Sequence, residues 1–261
     1  MKKVLLMLLL PGLALISCSS QQTAIKYKKA QEIADKISNY IYYERRGYEV
    51  TCKWERSNSK NSKDNLKINY LVKYSNNGDY YIKEVRKGFV DEEKVDMISE
   101  TYFLYEAELN HISYQIVKNN ITKEKTIDVY SYSYGHYSAP YYDETDFYND
   151  YIYPYLDPSS SVATIEYNKT EDTKVKYYSS DDGDLTIKLK VSFKEPTEGT
   201  YTGSASLAYN KYHLVKVEQA IKYEGGLKES YKFGIKYKSQ DIKLPKDWKE
   251  RVVDKTTNIY Y

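Results

Sequence analysis

Leu185, Thr186, Ile187, Lys188, Leu189, Lys190, Val191, Ser192 and Phe193 follow one another with apolar and polar side chains in strict alternation. Successive side chains of a strand point to opposite faces, so every apolar group here falls on one side and every polar group on the other. The stretch reads as a strand of a sheet covered on one face only. Before it, Val175 to Ser179 turn through Asp181, Asp182, Gly183 and Asp184. After it, Tyr201 to Tyr209 turn at Asn210 and Lys211 into Leu214 to Tyr223, and Gly225 and Gly226 turn that strand into Lys228 to Lys238. Hairpin follows hairpin with no helix between, so the connectivity is antiparallel.

The same period extends upstream. Leu66, Ile68, Tyr70, Val72 and Tyr74 alternate, turn through Asn76, Asn77, Gly78 and Asp79, and return as Tyr80 to Val85. Glu100 to Val117 and Glu124 to Tyr134 give two further strand-like stretches, separated at Lys118, Asn119 and Asn120. One helix is expected, over Ala24 to Tyr43, where Ala30, Ile33, Ala34, Ile37, Tyr40 and Ile41 recur at helical spacing; Gly47 is its stop. Its apolar stripe needs a surface to lie on, so the expected fold is mainly β (α+β), a large curved antiparallel sheet packed on an amino-terminal helix. Tyr134 to Ser161 breaks the period with Tyr141, Tyr142, Tyr151 and several prolines; a short helix can fall within Asp143 to Leu156. Long irregular connections of this kind are functional or mobile.

The amino terminus decides the compartment. Lys2 and Lys3 precede an apolar run from Val4 to Ile16 that is broken only by Pro11 and Gly12, the layout of a secretory signal. Polar residues resume at Ser17, too early for a helix that must cross about 30 Å of hydrocarbon. The run ends at Leu15, Ile16, Ser17 and Cys18, which resembles the bacterial lipobox. That resemblance implies a signal peptide over 1–17, cleavage before Cys18, a lipidated Cys18 with a polar tether over 18–23, and a single β-rich domain over 24–261. The chain would then sit outside the cytoplasm, anchored to the bacterial cell membrane. Acyl chains contribute about 0.8 kcal/mol per buried methylene, so a multiply acylated cysteine holds a soluble domain firmly on a bilayer.

Composition narrows the partners. Of 39 basic residues Lys2 and Lys3 lie in the leader, which leaves 37 against 37 acidic ones. That balance lacks the basic excess with which proteins displace counterions from nucleic acid, so no nucleic-acid partner is expected. With Cys18 lipidated, Cys52 is the last thiol and no intramolecular disulfide can form. Tyr48, Val50, Cys52 and Trp54 share one strand face, where Cys52 reads as a core thiol.

Catalytic signatures are missing. His111, His136 and His213 stand far apart without a second metal ligand at a suitable spacing, and no nucleophile elbow, phosphate loop or Cys–His arrangement appears. No enzyme activity, cofactor or metal is expected. Asp181 to Asp184 lack the alternating ligands and distal Glu of a calcium loop and read as a turn. Asp143, Glu144, Asp146 and Asp150 read as solvated loop acids, although paired carboxylates among tyrosines would suit sugar hydrolysis.

The close of the chain is Tyr231, Phe233, Ile235 and Tyr237, then Asp241, Ile242, Lys243, Leu244 and Pro245. With the amino-terminal helix and the run of hairpins, this layout resembles the LolA-like and LppX-like lipoprotein superfamily. The resemblance implies an incomplete, strongly curved barrel around a helix or two, with an apolar cavity for acyl chains. A lipid or other hydrophobic ligand is then expected in the sheet concavity. Tyr201, Leu207 and Tyr209 are candidate lining, because Gly203 and Ala205 on their face leave room beside large rings; close packing of the helix against those small residues is the alternative. Tyr141, Tyr142 and Tyr151 are candidates in the irregular segment. A second reading is a structural or interaction lipoprotein that contacts a protein or glycan through 134–161. Oligomeric state is left open.

Overall fold

The computed structural model describes residues 22–41, 47–77, 79–106, 110–133, 155–195 and 199–247. Twelve strands form one antiparallel sheet: β1 (Thr23–Ile25), β2 (Tyr48–Asn58), β3 (Leu66–Tyr74), β4 (Tyr80–Val90), β5 (Glu93–Glu106), β6 (Asn110–Asn119), β7 (Lys125–Ser133), β8 (Lys174–Ser179), β9 (Leu185–Glu195), β10 (Gly199–Tyr209), β11 (Leu214–Tyr223) and β12 (Leu227–Tyr237). The spatial order is β1-β8-β9-β10-β11-β12-β2-β3-β4-β5-β6-β7. Two meanders, β2 to β7 and β8 to β12, therefore join where β12 pairs with β2, in register from Leu227↔Asn58 to Tyr237↔Tyr48. The sheet is open, with β1 and β7 at its ends. Gly226 supports the β11–β12 turn with a φ of 92°, a conformation that L side chains rarely adopt.

Two helices are present among the described residues: α1 (Tyr27–Ile41) and α2 (Pro158–Tyr167). The first is shorter than the expected Ala24 to Tyr43, because residues 23–25 pair with β8 as β1. The second was not expected. Asp157 caps it, accepting from the Ser159 N–H, and Pro158 opens it. A helix within Asp143 to Leu156 falls almost wholly outside the described residues. The expected single stretch Glu100 to Val117 is instead two strands of a hairpin, β5 and β6, joined through 107–109.

Both helices serve one face of the sheet. Ala30, Ala34 and Ile37 of α1 and Val162 of α2 are buried with Tyr177, Leu185, Ile187, Leu207, Tyr209, Leu214, Val217, Phe233, Ile235, Val50 and Cys52. Alanine at 30 and 34, one helical turn apart, brings α1 close to the strands. The helices are latched at their ends: Ser38 Oγ donates to Asp157 Oδ1, the Ser159 N–H donates to Ser38 Oγ at 3.2 Å, and Ser159 Oγ donates to Asp35.

The sheet is covered on one side over β8 to β12, as expected, but not throughout. Ile112, Tyr114 and Val129 are buried on the opposite face of β6 and β7, with Tyr102, Ile116, Ile127 and Leu244 packed against them. Cross-strand register carries the reversal: Tyr102 pairs with Tyr114, while its neighbour Phe103 points to the helix side and stacks on Tyr80 at 4.9 Å. The segment after β12 supplies Leu244 to this second cluster and buries Ile242 to 7 % exposure.

Candidate functional site

The helix-side face has a sealed zone and an open one. Beneath α1 and α2 the buried side chains of the cluster, among the described residues, are at most 5 % exposed and pack as one body. Leu207 and Tyr209, two expected lining residues, lie in this zone. The Tyr209 hydroxyl donates to the Tyr155 carbonyl at 2.9 Å and contacts Ser161 Oγ at 3.2 Å; burial pushes its phenol pKa up. A buried phenol needs such partners, and α2 with its approach supplies them. Leu207 and Tyr209 are thus packed into the core with α1 and α2, whereas Gly203 and Ala205 of the same face stay partly exposed.

Cys52 belongs to the same zone, 1 % exposed, and burial pushes its thiol from 9.0 to about 12. At neutral pH it is protonated and inert. The Asp157 carboxyl at the latch is subject to opposed effects. Burial alone would raise its pKa, but hydrogen bonds from Ser38, Ser160 and the Ser159 N–H outweigh burial and hold it below its usual 3.8.

The open zone follows along the same strands. One cross-strand row runs Val175, Leu189, Ala205, Gln219, Tyr231, Trp54 and Ile68; the next runs Val191, Gly203, Ile221, Glu229, Arg56 and Leu66. Except for Leu66, all of these are partly exposed. Tyr201 lies one row further, partly exposed, with its ring 6.1 Å from that of Tyr223. Trp54 faces Tyr231 across the strands at 6.3 Å. The apolar wall ends in ionic groups: Arg56 pairs with Glu229 at 3.2 Å and lies 5.4 Å from the Trp54 ring, and Arg86 pairs with Glu84 at 2.7 Å. Tyr155 closes the boundary between zones, its hydroxyl accepting from Gln219 at 2.9 Å. Periodicity placed these residues on one face, but Trp54, Ile68 and Tyr231 were not singled out, because nothing in a period of two tells where the helices stop.

Tyr141, Tyr142 and Tyr151 lie outside the described residues, as does Cys18. The end of the irregular segment is structural: Tyr155 to Ser161 supply the boundary ring, the latch and the start of α2. Among the described residues no group of three or more His, Cys, Asp or Glu could hold a metal ion, and no helix is long and apolar enough to cross a membrane.

A concavity of about 670 Å³ lies on the opposite face of β8 to β12 and β2. Its floor is Ser192, Thr202, Ser204, Ala220 and Ser230, and Lys174, Lys190, Lys222 and Lys228 stand around it. These residues share the outward parity of the strands, one step out of phase with the sealed core. Val191, Gly203 and Ile221 of the intervening positions also line it, and so do the acids Glu55, Asp172 and Glu229.

No protein-family model matches the chain, and no curated protein matches it. Among solved structures the chain is similar to LprF from Mycobacterium bovis, with 12 % identity over 84 % of this chain and 96 % of that one and a TM-score of 0.32. It is similar to a DUF1329 family protein from Desulfovibrio piger, with 12 % identity, 85 % and 96 % coverage and a TM-score of 0.25. It is also similar to a LolA superfamily protein from Nitrosomonas europaea, with 10 % identity, 84 % and 98 % coverage and a TM-score of 0.22. At these scores the likenesses carry no functional weight.

Proposed function

We propose that the protein is an extracytoplasmic lipoprotein, tethered through Cys18, that holds a lipid or other hydrophobic ligand on the open zone of the helix-side face. The supporting observation is the wall of Leu189, Ala205, Tyr231, Trp54 and Ile68, partly exposed and continuous with the sealed core. Exposed apolar area is costly, and covering it with an acyl chain recovers about 25 cal/mol per Å² removed from water. Arg56 and Arg86 beside the wall suit a ligand with an anionic head: hydrocarbon lies along the rings, and the head exchanges with Glu229 or Glu84 for a guanidinium. A site of this kind binds and needs no reacting group.

Lipid extraction and mass spectrometry of the purified chain test the ligand. A Trp54→Asp chain is expected to lose the bound species. A wild-type chain that is free of lipid after purification from several hosts would end the ligand reading. Incorporation of radiolabelled palmitate tests the tether separately; equal labelling of the chain and its Cys18→Ala variant would remove the anchor.

A further inference from the structure

The mature chain reads as electrically balanced, yet its charges are not evenly spread over the sheet. On the outward face of β8, β9, β11, β12 and β2 stand Lys174, Lys176, Lys188, Lys190, Lys216, Lys222, Lys228, Lys232, Lys236 and Lys53, against the acids Glu218, Glu49 and Glu55. Each acid is already engaged: Glu218 with Lys216 at 3.0 Å, Glu55 with Lys67 at 3.3 Å, and Glu49 with Lys238 at 3.4 Å. At the middle of this face β9 to β12 carry only Ser192, Thr202, Ser204, Ala220 and Ser230, so the backbone is reachable and the trough of about 670 Å³ forms. Among the described residues none of its four lysines, 174, 190, 222 and 228, makes an ion pair, and they outnumber the acids Asp172, Glu55 and Glu229 that also line it. Cations gathered around a floor of hydroxyl donors are suited to oxyanions of a phosphate ester.

The path of the chain bears on what meets this face. Gln22 Nε2 donates to Thr186 Oγ1 at 2.9 Å, and Thr186 belongs to the same outward set as Lys188 and Lys190. Gln22, four residues after Cys18, therefore sets its side chain on the lysine face. Four residues reach at most about 14 Å. An acyl group on Cys18 would hold this edge of the lysine face within reach of phospholipid headgroups.

We infer that the outward face of β8 to β12 and β2 docks on the anionic phospholipid headgroups of the bilayer that carries the anchor, with headgroup phosphates in the trough between Lys174, Lys190, Lys222 and Lys228. This rests on the anchoring proposed above. It orients the domain: the apolar wall on the other face is turned away from the membrane surface.

The full chain is placed on vesicles of phosphatidylcholine alone and of phosphatidylcholine with phosphatidylglycerol. Lysine acetylation by a membrane-impermeant reagent is then read residue by residue. Retention on neutral vesicles reads the anchor by itself. With phosphatidylglycerol present, acetylation of the four trough lysines is expected to fall severalfold, that of Lys29 on α1 to stay unchanged, and added salt to restore the lost labelling. A lysine near an anionic surface is worth about fivefold in affinity, so the Lys190→Gln, Lys222→Gln chain should lose roughly twenty-five-fold of this docking and leave Lys174 and Lys228 unprotected. A chain that stays on both vesicle types with equal labelling of the trough lysines overturns the inference and spares the anchor. A chain that leaves neutral vesicles but is protected on anionic ones removes the anchor and supports the docking.

Discussion

Replacing Ala34 by Leu decides whether the space under α1 is full. Ala34 is 0 % exposed and belongs to the cluster that joins α1 to β9, β10 and β12. Leucine adds three carbons and differs little from alanine in helix propensity, so the helix itself is not what the change perturbs. In a packed interior the extra atoms force strained rotamers or displace the backbone, at about 1–3 kcal/mol. For a domain of this size each kcal/mol moves the midpoint by about 2–4 °C, so thermal unfolding should begin roughly 2–12 °C lower. An open cavity would give the opposite sign, since burying the added apolar surface would stabilise the fold by up to about 2 kcal/mol. Differential scanning fluorimetry with a far-UV circular dichroism melt reads the sign directly. A midpoint unchanged or raised in the Ala34→Leu chain would refute the sealed zone and return the ligand site to the space beneath the helices.

Tyr209→Phe removes the donor to Tyr155 and Ser161 and should cost about 1–2 kcal/mol, measured by urea unfolding; a neutral result would mean that the hydroxyl is not needed in the core. Asp157→Ala removes the α2 cap and the partner of Ser38, costing about 0.5–2 kcal/mol at pH 7. Because the Asp157 carboxyl is held below its usual 3.8, its contribution is present above that value and disappears as pH falls through the folded pKa. Stability curves of Asp157→Ala and the parent chain should therefore converge in acid, and parallel curves would contradict the latch. For Cys52 the sign reverses: with its thiol raised to about 12, folding is penalised as pH climbs from 9.0 toward that value. Iodoacetamide should accordingly modify Cys52 in the native chain only after unfolding, and labelling at the rate of a free thiol would contradict its burial.

Much of the architecture is legible in the chain because a period of two is a strong signal wherever one face is sealed. Leu185, Ile187 and Leu189 alternate with Thr186, Lys188 and Lys190, and the strand, its register and its buried side all follow. The helix stripe at Ala30, Ile33, Ala34 and Ile37 is equally plain. α2 is less so: Asp157 and Pro158 mark its start, but Ser159, Ser160 and Ser161 have little helix preference, and packing on α1 decides the matter. The split of residues 100–117 is not legible because both strands there are mixed, with buried groups on opposite faces at Phe103 and Tyr114. The limits of the site were not legible. Leu207 and Trp54 lie on the same face by parity, and only the distance each helix reaches along the strands seals one and exposes the other.

The β12–β2 seam sets a condition on how the chain comes together. Phe233 pairs with Cys52 and Ile235 with Val50, so the central contact of the sheet joins residues from the two ends of the domain. Contacts so distant in sequence form late and slowly, and neither meander can complete the core before its partner arrives. Until then β2 and β12 each present a bare row of amides and carbonyls, and a chain cut short before Leu227 leaves β2 and β11 bare instead. Such fragments are primed to pair with one another, so ribosomal arrest or proteolysis near the carboxyl end would yield an aggregating species instead of a partly working one.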